Sequence, residues 1–237
     1  MLCLELIFVV VFCLSFENSY LTLMKKFLVL GILFILPITV YIFFASGKDN
    51  FAKLPVLTQS VSELSDFKTI DGTSVSLKEH ITVLGFFGNN LMSNRVNAYN
   101  LAHKIYKKNH EFQDFQLVIV LPEGTEDASE ELIKKISEIA DTNNWKFVFG
   151  SSEEIENMFN SLESSYKLDE DLASPYVFII DKDRNLRGRN DDEDFGMLYG
   201  FNSADIAEIN NKMSDDIKVV LAEYRLALKK YKAKREI

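Results

Sequence analysis

Thiols are missing from almost the whole chain. Of 237 residues only two are cysteine, Cys3 and Cys13, and both lie in an apolar leader. Everything after Leu14 can therefore form no disulfide, run no thiol redox cycle and give a metal no thiolate. Lipoprotein cleavage at Cys13 is disfavoured, because Phe12 stands where a small residue belongs. Histidine is nearly as scarce, with three residues, which leaves little imidazole for proton transfer or a metal cage. Positive charge is short too: 26 Lys and Arg against 35 Asp and Glu give a net charge of -9. A phosphate-binding surface needs clustered cations, so no nucleic-acid partner is expected. The chain has no Gly-x-Ser-x-Gly, no phosphate-binding glycine loop and no His-Glu-x-x-His. With no nucleophile set, no metal motif and no cofactor fingerprint, the reading is of a protein that is not an enzyme and holds no cofactor.

What is present begins with apolar length. Residues 6–16 are apolar but short for a membrane span, whereas 27–45 are long enough to cross a bilayer. Residues 1–23 read as an apolar leader, either a weak extra segment or the product of a mis-assigned start, since Met24-Lys25-Lys26 resembles a start with a charged flank. Residues 24–46 read as an uncleaved transmembrane signal anchor, because Phe43-Phe44-Ala45-Ser46-Gly47 is a poor match to an A-x-A site. Lys25 and Lys26 favour the cytoplasmic side. The expectation is a single-pass protein of a bacterial-type inner membrane with its soluble part in the periplasm. Residues 47–64, with Pro55, read as a polar extended stalk, and 65–237 as one domain.

Inside that domain the periodicity changes repeatedly. The run 81–87, ITVLGFF, suits a buried strand, stops at Gly88-Asn89-Asn90 and passes into a helical pattern over 91–108. Asp71-Gly72 predicts the turn of a hairpin over 67–77. Further strands are expected at 115–121, 145–149, 175–181 and 186–189, and helices at 127–141, 152–162 and 203–232. This order predicts an α/β fold: a thioredoxin-like mixed sheet with helices on both faces, preceded by the transmembrane helix.

Three other groupings invite a function. Met92 and His103 fall on one predicted helix with His110, seven positions on, at its end, which would be the basis of a methionine/histidine copper site, although flanking Lys104, Lys107 and Lys108 point to plain surface residues. Asn190-Asp191-Asp192-Glu193-Asp194 looks like part of a calcium loop but lacks the EF-hand spacing, and a solvated loop is the simpler reading. The last helix is long, and its stretch from Tyr224 to Tyr231 could offer Leu228 and Tyr231 to a protein partner. Its closing Lys229, Lys230, Lys232, Lys234 and Arg235 complement the helix dipole.

Ser65-Asp66-Phe67, Asp71-Gly72-Thr73-Ser74-Val75-Ser76-Leu77, Val83-Leu84-Gly85-Phe86-Phe87 and Tyr176-Val177-Phe178-Ile179-Ile180-Asp181 together resemble the Sco/SenC branch of the thioredoxin-like superfamily. So do Phe51-Ala52-Lys53-Leu54-Pro55-Val56 and the single anchor. The resemblance implies a membrane-anchored copper-delivery protein of cytochrome c oxidase assembly, with two cysteines in a CxxxC motif and one histidine as ligands. Here Asn90 and Asn94 fall at the cysteine positions and Ala173 at the histidine position. Amides and a methyl group cannot replace the soft donors of a cuprous site. Pro175 matches the proline opposite the active-site turn, and by that resemblance a cis Ser174–Pro175 bond is expected. The combined reading is a noncatalytic binding or assembly protein, related to respiratory oxidase, with a degenerate site at Asn90, Asn94, Ala173 and Pro175. The competing reading is a metal carrier or redox enzyme working through a non-thiol Met/His site.

Overall fold

The computed structural model describes residues 26–44 and 53–235, with residues 226–235 described as backbone only. The leader, both cysteines and residues 45–52 lie outside the described residues. The chain divides into two units, Met1–Asn50 and Phe51–Ile237. In the first, helix α1 is Lys26–Phe44, 19 residues, nearly all apolar and exposed. At about 1.5 Å per residue it is roughly 28 Å long, enough to cross the hydrocarbon core of a membrane.

The second unit begins with strand β1, Val56–Thr58, and strand β2, Ile81–Phe87. Helix α2 follows as Arg95–Leu101, a π-helical turn Ala102–Tyr106, and Lys107–Asn109. Then come β3 (Phe115–Pro122), α3 (Glu126–Ser137), β4 (Trp145–Gly150), α4 (Ser152–Asn160), β5 (Ala173–Ile180) and β6 (Leu186–Arg187). A small hairpin, β7 (Arg189–Asp192) and β8 (Gly196–Leu198), leads through β9 (Phe201–Asn202) to the closing helix α5. That helix starts at Ile206–Glu208, passes a π-helical turn Ile209–Met213 and ends with Ser214–Arg235.

The main sheet has the order β1-β6-β5-β2-β3-β4, with β9 beside β5. β2, β3 and β4 run parallel, while β5 is antiparallel to β2 and β6 to β5. A βαβ unit joined to a ββα unit about a β3-β2-β5-β6 core is a thioredoxin-like fold, with β4 and α4 added at one edge. Every residue of β2 and β3 is buried, as strands covered on both faces require. One face carries α2, α3 and α5 through Leu101, Ile105, Leu132, Ile136, Ile209 and Ile217; the other carries α4 and the segment before β2 through Ile155, Phe159, Val61, Leu64 and Phe67.

Local chemistry explains the helix ends. Ser151 and Glu154 form a capping box: Glu154 N donates to Ser151 Oγ at 3.3 Å, and Ser151 N donates to Glu154 Oε2 at 2.7 Å. In α3 the first turn holds Glu126 and Asp127 and the last holds Lys134 and Lys135, matching the helix dipole at both ends.

Several expectations need correction. Residues 53–64, read as stalk, belong to the sheet unit: β1 pairs with β6, and Val61 and Leu64 are fully buried. Their apolar side chains cover the face beneath α4, so this stretch has a core to fill. The hairpin over 67–77 is only a turn, closed by Gly72 N donating to Thr69 O at 2.9 Å. Its first arm pairs elsewhere, at Lys68 with Phe149. Residues 91–94 are a turn, and α2 starts at Arg95. The loop 190–194 is largely exposed, as read, but it also contributes to the β7–β8 hairpin, where Asp192 is buried and paired with Lys212.

One buried ion cluster ties the ends of the unit together. Arg187, 4% exposed, donates from Nε to Leu54 O at 2.9 Å, from Nη1 to Asp181 at 3.0 Å and from Nη2 to Glu223 on α5 at 2.7 Å. Lys53 Nζ reaches the same Glu223 at 3.2 Å. A guanidinium this buried is tolerated only because it is paired and hydrogen-bonded on several sides.

Candidate functional site

The sequence pointed to the turn after β2 and the loop before the body of β5, and the fold puts these side by side. Phe87, the last residue of β2, pairs with Ala173. Gly88 follows with φ +66, and a Cβ there would meet Asp171 O at 2.3 Å and Ala173 Cβ at 2.8 Å. Only glycine allows both that backbone angle and that approach. Asn89 N then donates to Asp171 O at 2.8 Å.

The rest of the turn closes on itself. Ser93 N donates to Asn90 O and Asn94 N to Leu91 O, both at 3.1 Å, over the buried Leu91. Asn94 stands at the N-cap of α2, yet its side chain does not cap the helix. Its Nδ2 donates backward to Phe87 O at 2.9 Å, while Asn90 is exposed.

Across from it, Asp169 organises the second loop. Its Oδ1 accepts from Asp171 N at 2.9 Å and from Ala173 N at 2.8 Å, and its own N–H donates to Ala173 O at 2.9 Å. Leu172 takes a left-handed φ of +61 to complete this loop. Pro175 sits in a trans peptide, against the cis expectation. Its strand is bulged here, since the step from Phe87 to Gly85 on β2 corresponds to the step from Ala173 to Val177 on β5. The bulge lets an exposed trans proline stand in a strand without removing a ladder donor. Its carbonyl is occupied, accepting from Ser203 N at 2.8 Å and Ser203 Oγ at 2.7 Å. Beside it Tyr166 and Tyr176 stack at 3.7 Å between ring centroids, with Tyr166 Oη donating to Gly200 O at 3.3 Å. Burial pushes the Tyr166 hydroxyl up to about 12.

The structure thus brings Asn90, Asn94 and Ala173 to one corner, with Pro175 two residues along. Gly88, Asp169, Leu172 and Ser203, which hold that corner, were not singled out from the sequence. Gly88 had a signal, a glycine directly after an apolar strand. Asp169 and Ser203 had none, because their partners are backbone groups fixed only by the fold.

The other groupings fare differently. Met92 precedes α2 by three positions, His103 is exposed on its π-helical turn, and His110 lies past its end with Nδ1 3.1 Å from Lys107 O. Seven residues separate the two histidines, about 10 Å along a helix, so these side chains do not converge on one ion. Among the described residues no group of three or more His, Cys, Asp or Glu is placed to hold a metal. In the acidic hairpin the cation is a lysine. Asp192 Oδ1 accepts from Lys212 Nζ at 2.8 Å and from the amides of Asp194 and Phe195 at 3.1 and 3.3 Å. Lys212 also reaches Asp194 at 2.7 Å. Burial pushes the Asp192 carboxyl up, but Lys212 and those amides outweigh it and hold it below the usual carboxylate range. On α5, Tyr224 is half-buried with Oη 3.4 Å from Asp183 Oδ2. The side chains of Leu228 and Tyr231, the expected protein-partner surface, lie outside the described residues.

No family model and no curated protein matches the chain. Solved structures do. BsSco, a member of the Sco family of cytochrome c oxidase assembly proteins, is 17% identical at a TM-score of 0.49, covering 71% of this chain and 98% of its own. A SCO1/SenC family lipoprotein from Bacillus anthracis is 20% identical at 0.47, covering 74% and 99%. Arabidopsis thaliana ScoI, solved with copper bound, is 17% identical at 0.43, covering 67% and 99%. All are likenesses of fold. At these scores they carry nothing about the site, and the thioredoxin-like assignment stands on the strand order itself.

Proposed function

We propose that this chain is a noncatalytic binding protein, held by α1 in a bacterial-type inner membrane with its thioredoxin-like domain on the periplasmic side. One observation carries the reading: the corner where a thioredoxin-like domain places its reactive turn holds Asn90, Asn94 and Ala173. The Asn94 amide there is spent on Phe87 O at 2.9 Å. An amide whose nitrogen is locked to a backbone carbonyl offers only a hard carbonyl oxygen, with no thiolate, thioether or imidazole for a soft metal and no thiol for a disulfide. What remains is a rigid surface around that corner for another protein to recognise. Assembly of a respiratory oxidase is the setting implied by the sequence resemblance to Sco/SenC proteins, and by that alone.

The test uses the full chain in detergent micelles with Cys3 and Cys13 replaced by serine. Thiol-reductase and peroxidase assays should show no turnover above buffer, and a Cu(I) titration should show no stoichiometric uptake. Turnover, or one tightly bound copper per chain, would overturn the proposal. Crosslinking in intact membranes followed by mass spectrometry then identifies the partner.

A further inference from the structure

The far edge of the sheet, at strand β4, carries a second candidate surface. In the β3–β4 ladder the groups facing β3 belong to alternate residues, as shown by Leu117 N donating to Asn144 O at 2.9 Å and Glu123 N to Gly150 O at 3.1 Å. The intervening residues Trp145, Phe147 and Phe149 therefore direct their backbone outward. Phe149 has an outward partner: its N–H donates to Lys68 O at 2.8 Å, and its carbonyl accepts from Lys68 N at 3.2 Å. The antiparallel continuation would set Ile70 against Phe147. The chain instead turns away at Thr69–Thr73, where Gly72 takes φ +75, and Phe147 is left with no outward bond.

The peeling-off opens a cleft of about 450 Å³. One wall is the 69–76 segment, the other is α3 with Ser129, Glu130 and Ile133, and the outer edge of β4 lies between. The first wall is fixed, since Thr69 and Thr73 share a 2.7 Å hydroxyl bond and Lys68 Nζ donates to Ser74 Oγ at 2.7 Å. Trp145, 3% exposed, lines the same cleft with an Nε1–H that has no acceptor. Such orphan donors are rare in native folds. The charged lining groups are Asp71, Glu130 and Lys146, none of them in an ion pair, so carboxylates outnumber the one ammonium.

We propose that this edge takes up an extended peptide of a partner protein as an added strand. The strand would bond to the Phe147 N–H and C=O, set an apolar residue against Phe147 and Ile133, and bring basic residues to Asp71 and Glu130. Main-chain bonds would supply affinity and the alternating side chains selectivity. An edge recessed between two walls suits one extended segment better than the edge of a second folded sheet. This surface lies toward the amino ends of β2, β3 and β4, away from the Asn90–Asn94 turn. A copper result there would leave this proposal untouched.

The test measures amide-resolved hydrogen exchange and binding on the full chain in micelles. The probe is a blocked Lys-Val-Lys-Val-Lys peptide, compared with the same peptide fully N-methylated and with Glu-Val-Glu-Val-Glu. The Lys/Val peptide should slow exchange at Phe147 at least about tenfold, and the two controls should not. Phe147→Pro removes the outward N–H and leaves the β3 ladder intact; it should weaken binding by about tenfold or more, a loss of about 1.4 kcal/mol. Ile133→Asp gives the same readout should the proline variant not fold. Equal binding of the N-methylated peptide, or no response at Phe147, overturns the proposal. So does a Phe147 amide already protected in a concentration-dependent way without peptide, since a second copy would then cover the edge.

Discussion

The two ends of the central sheet end their hydrogen bonding in opposite ways. At the carboxyl end, the β2 turn and the 169–175 loop satisfy one another: Asn89 reaches Asp171, Asn94 reaches Phe87, and Asp169 holds the amides of Asp171 and Ala173. On the outer edge of β4, pairing at Lys68–Phe149 near the strand's carboxyl end breaks off before Phe147 and leaves the amino half open. The closed end has donors and acceptors in balance, so its loss should cost stability. The open end has backbone groups to spare, so changes there should alter recognition and leave stability nearly unmoved.

The largest effect should come from Gly88→Ala. A Cβ at φ +66 meeting a carbonyl at 2.3 Å combines left-handed strain with overpacking. A loss of about 3 kcal/mol in urea denaturation is expected; a loss below about 1 would mean that the two loops part easily. Asp169→Ala deletes a carboxylate that two amides share, and by the worth of bonds to charged groups should cost about 2 kcal/mol.

Asp192 extends the comparison to a closed site built from side chains. In the folded state its carboxyl is held below the usual carboxylate range, so its contribution is complete above the ordinary carboxylate range, about pH 4 to 5, and fades as acid carries the solution down through its folded value. Asp192→Asn should cost about 1 to 2 kcal/mol at neutral pH and flatten the acid limb of the stability curve. Unfolding measured from pH 7 to pH 2 checks this, and an unchanged limb would assign acid sensitivity elsewhere. Asn94→Ala, which frees Phe87 O to a part-exposed turn, should cost about 1 kcal/mol. Smallest of all, Ile70→Ser at the open end, where the side chain is 48% exposed, should stay within about 0.5 kcal/mol while weakening peptide uptake at β4.

Which features could be read from the sequence follows the same division. The alternation of ITVLGFF, FQLVIVL and PYVFIID with amphipathic helices was plain, because burial on both faces writes itself as unbroken apolar runs. β1 was not, since three residues beside Pro55 look like linker until Arg187 and β6 give them partners. The hairpin β7–β8 was hidden for the opposite reason: Arg189-Asn190-Asp191-Asp192 reads as solvated charge, and its partners Lys212 and Asp216 stand twenty or more positions on. At the site, the positions of Asn90, Asn94 and Ala173 were legible through resemblance, and Gly88 through its residue type. Asp169 and Ser203 act on backbone atoms that the fold alone brings near. The trans bond at Pro175 could not be read at all, because either isomer fits an X-Pro step and the bulge in β5 decides.

The Arg187 cluster has a mechanical side. Its guanidinium clasps Leu54, where the chain enters the sheet unit, to Glu223 on the closing helix, and Lys53 grips the same carboxylate. Tension arriving along the segment ahead of Lys53 is therefore divided between a terminal strand and a helix 170 positions downstream, and the first and last parts of the unit must yield together.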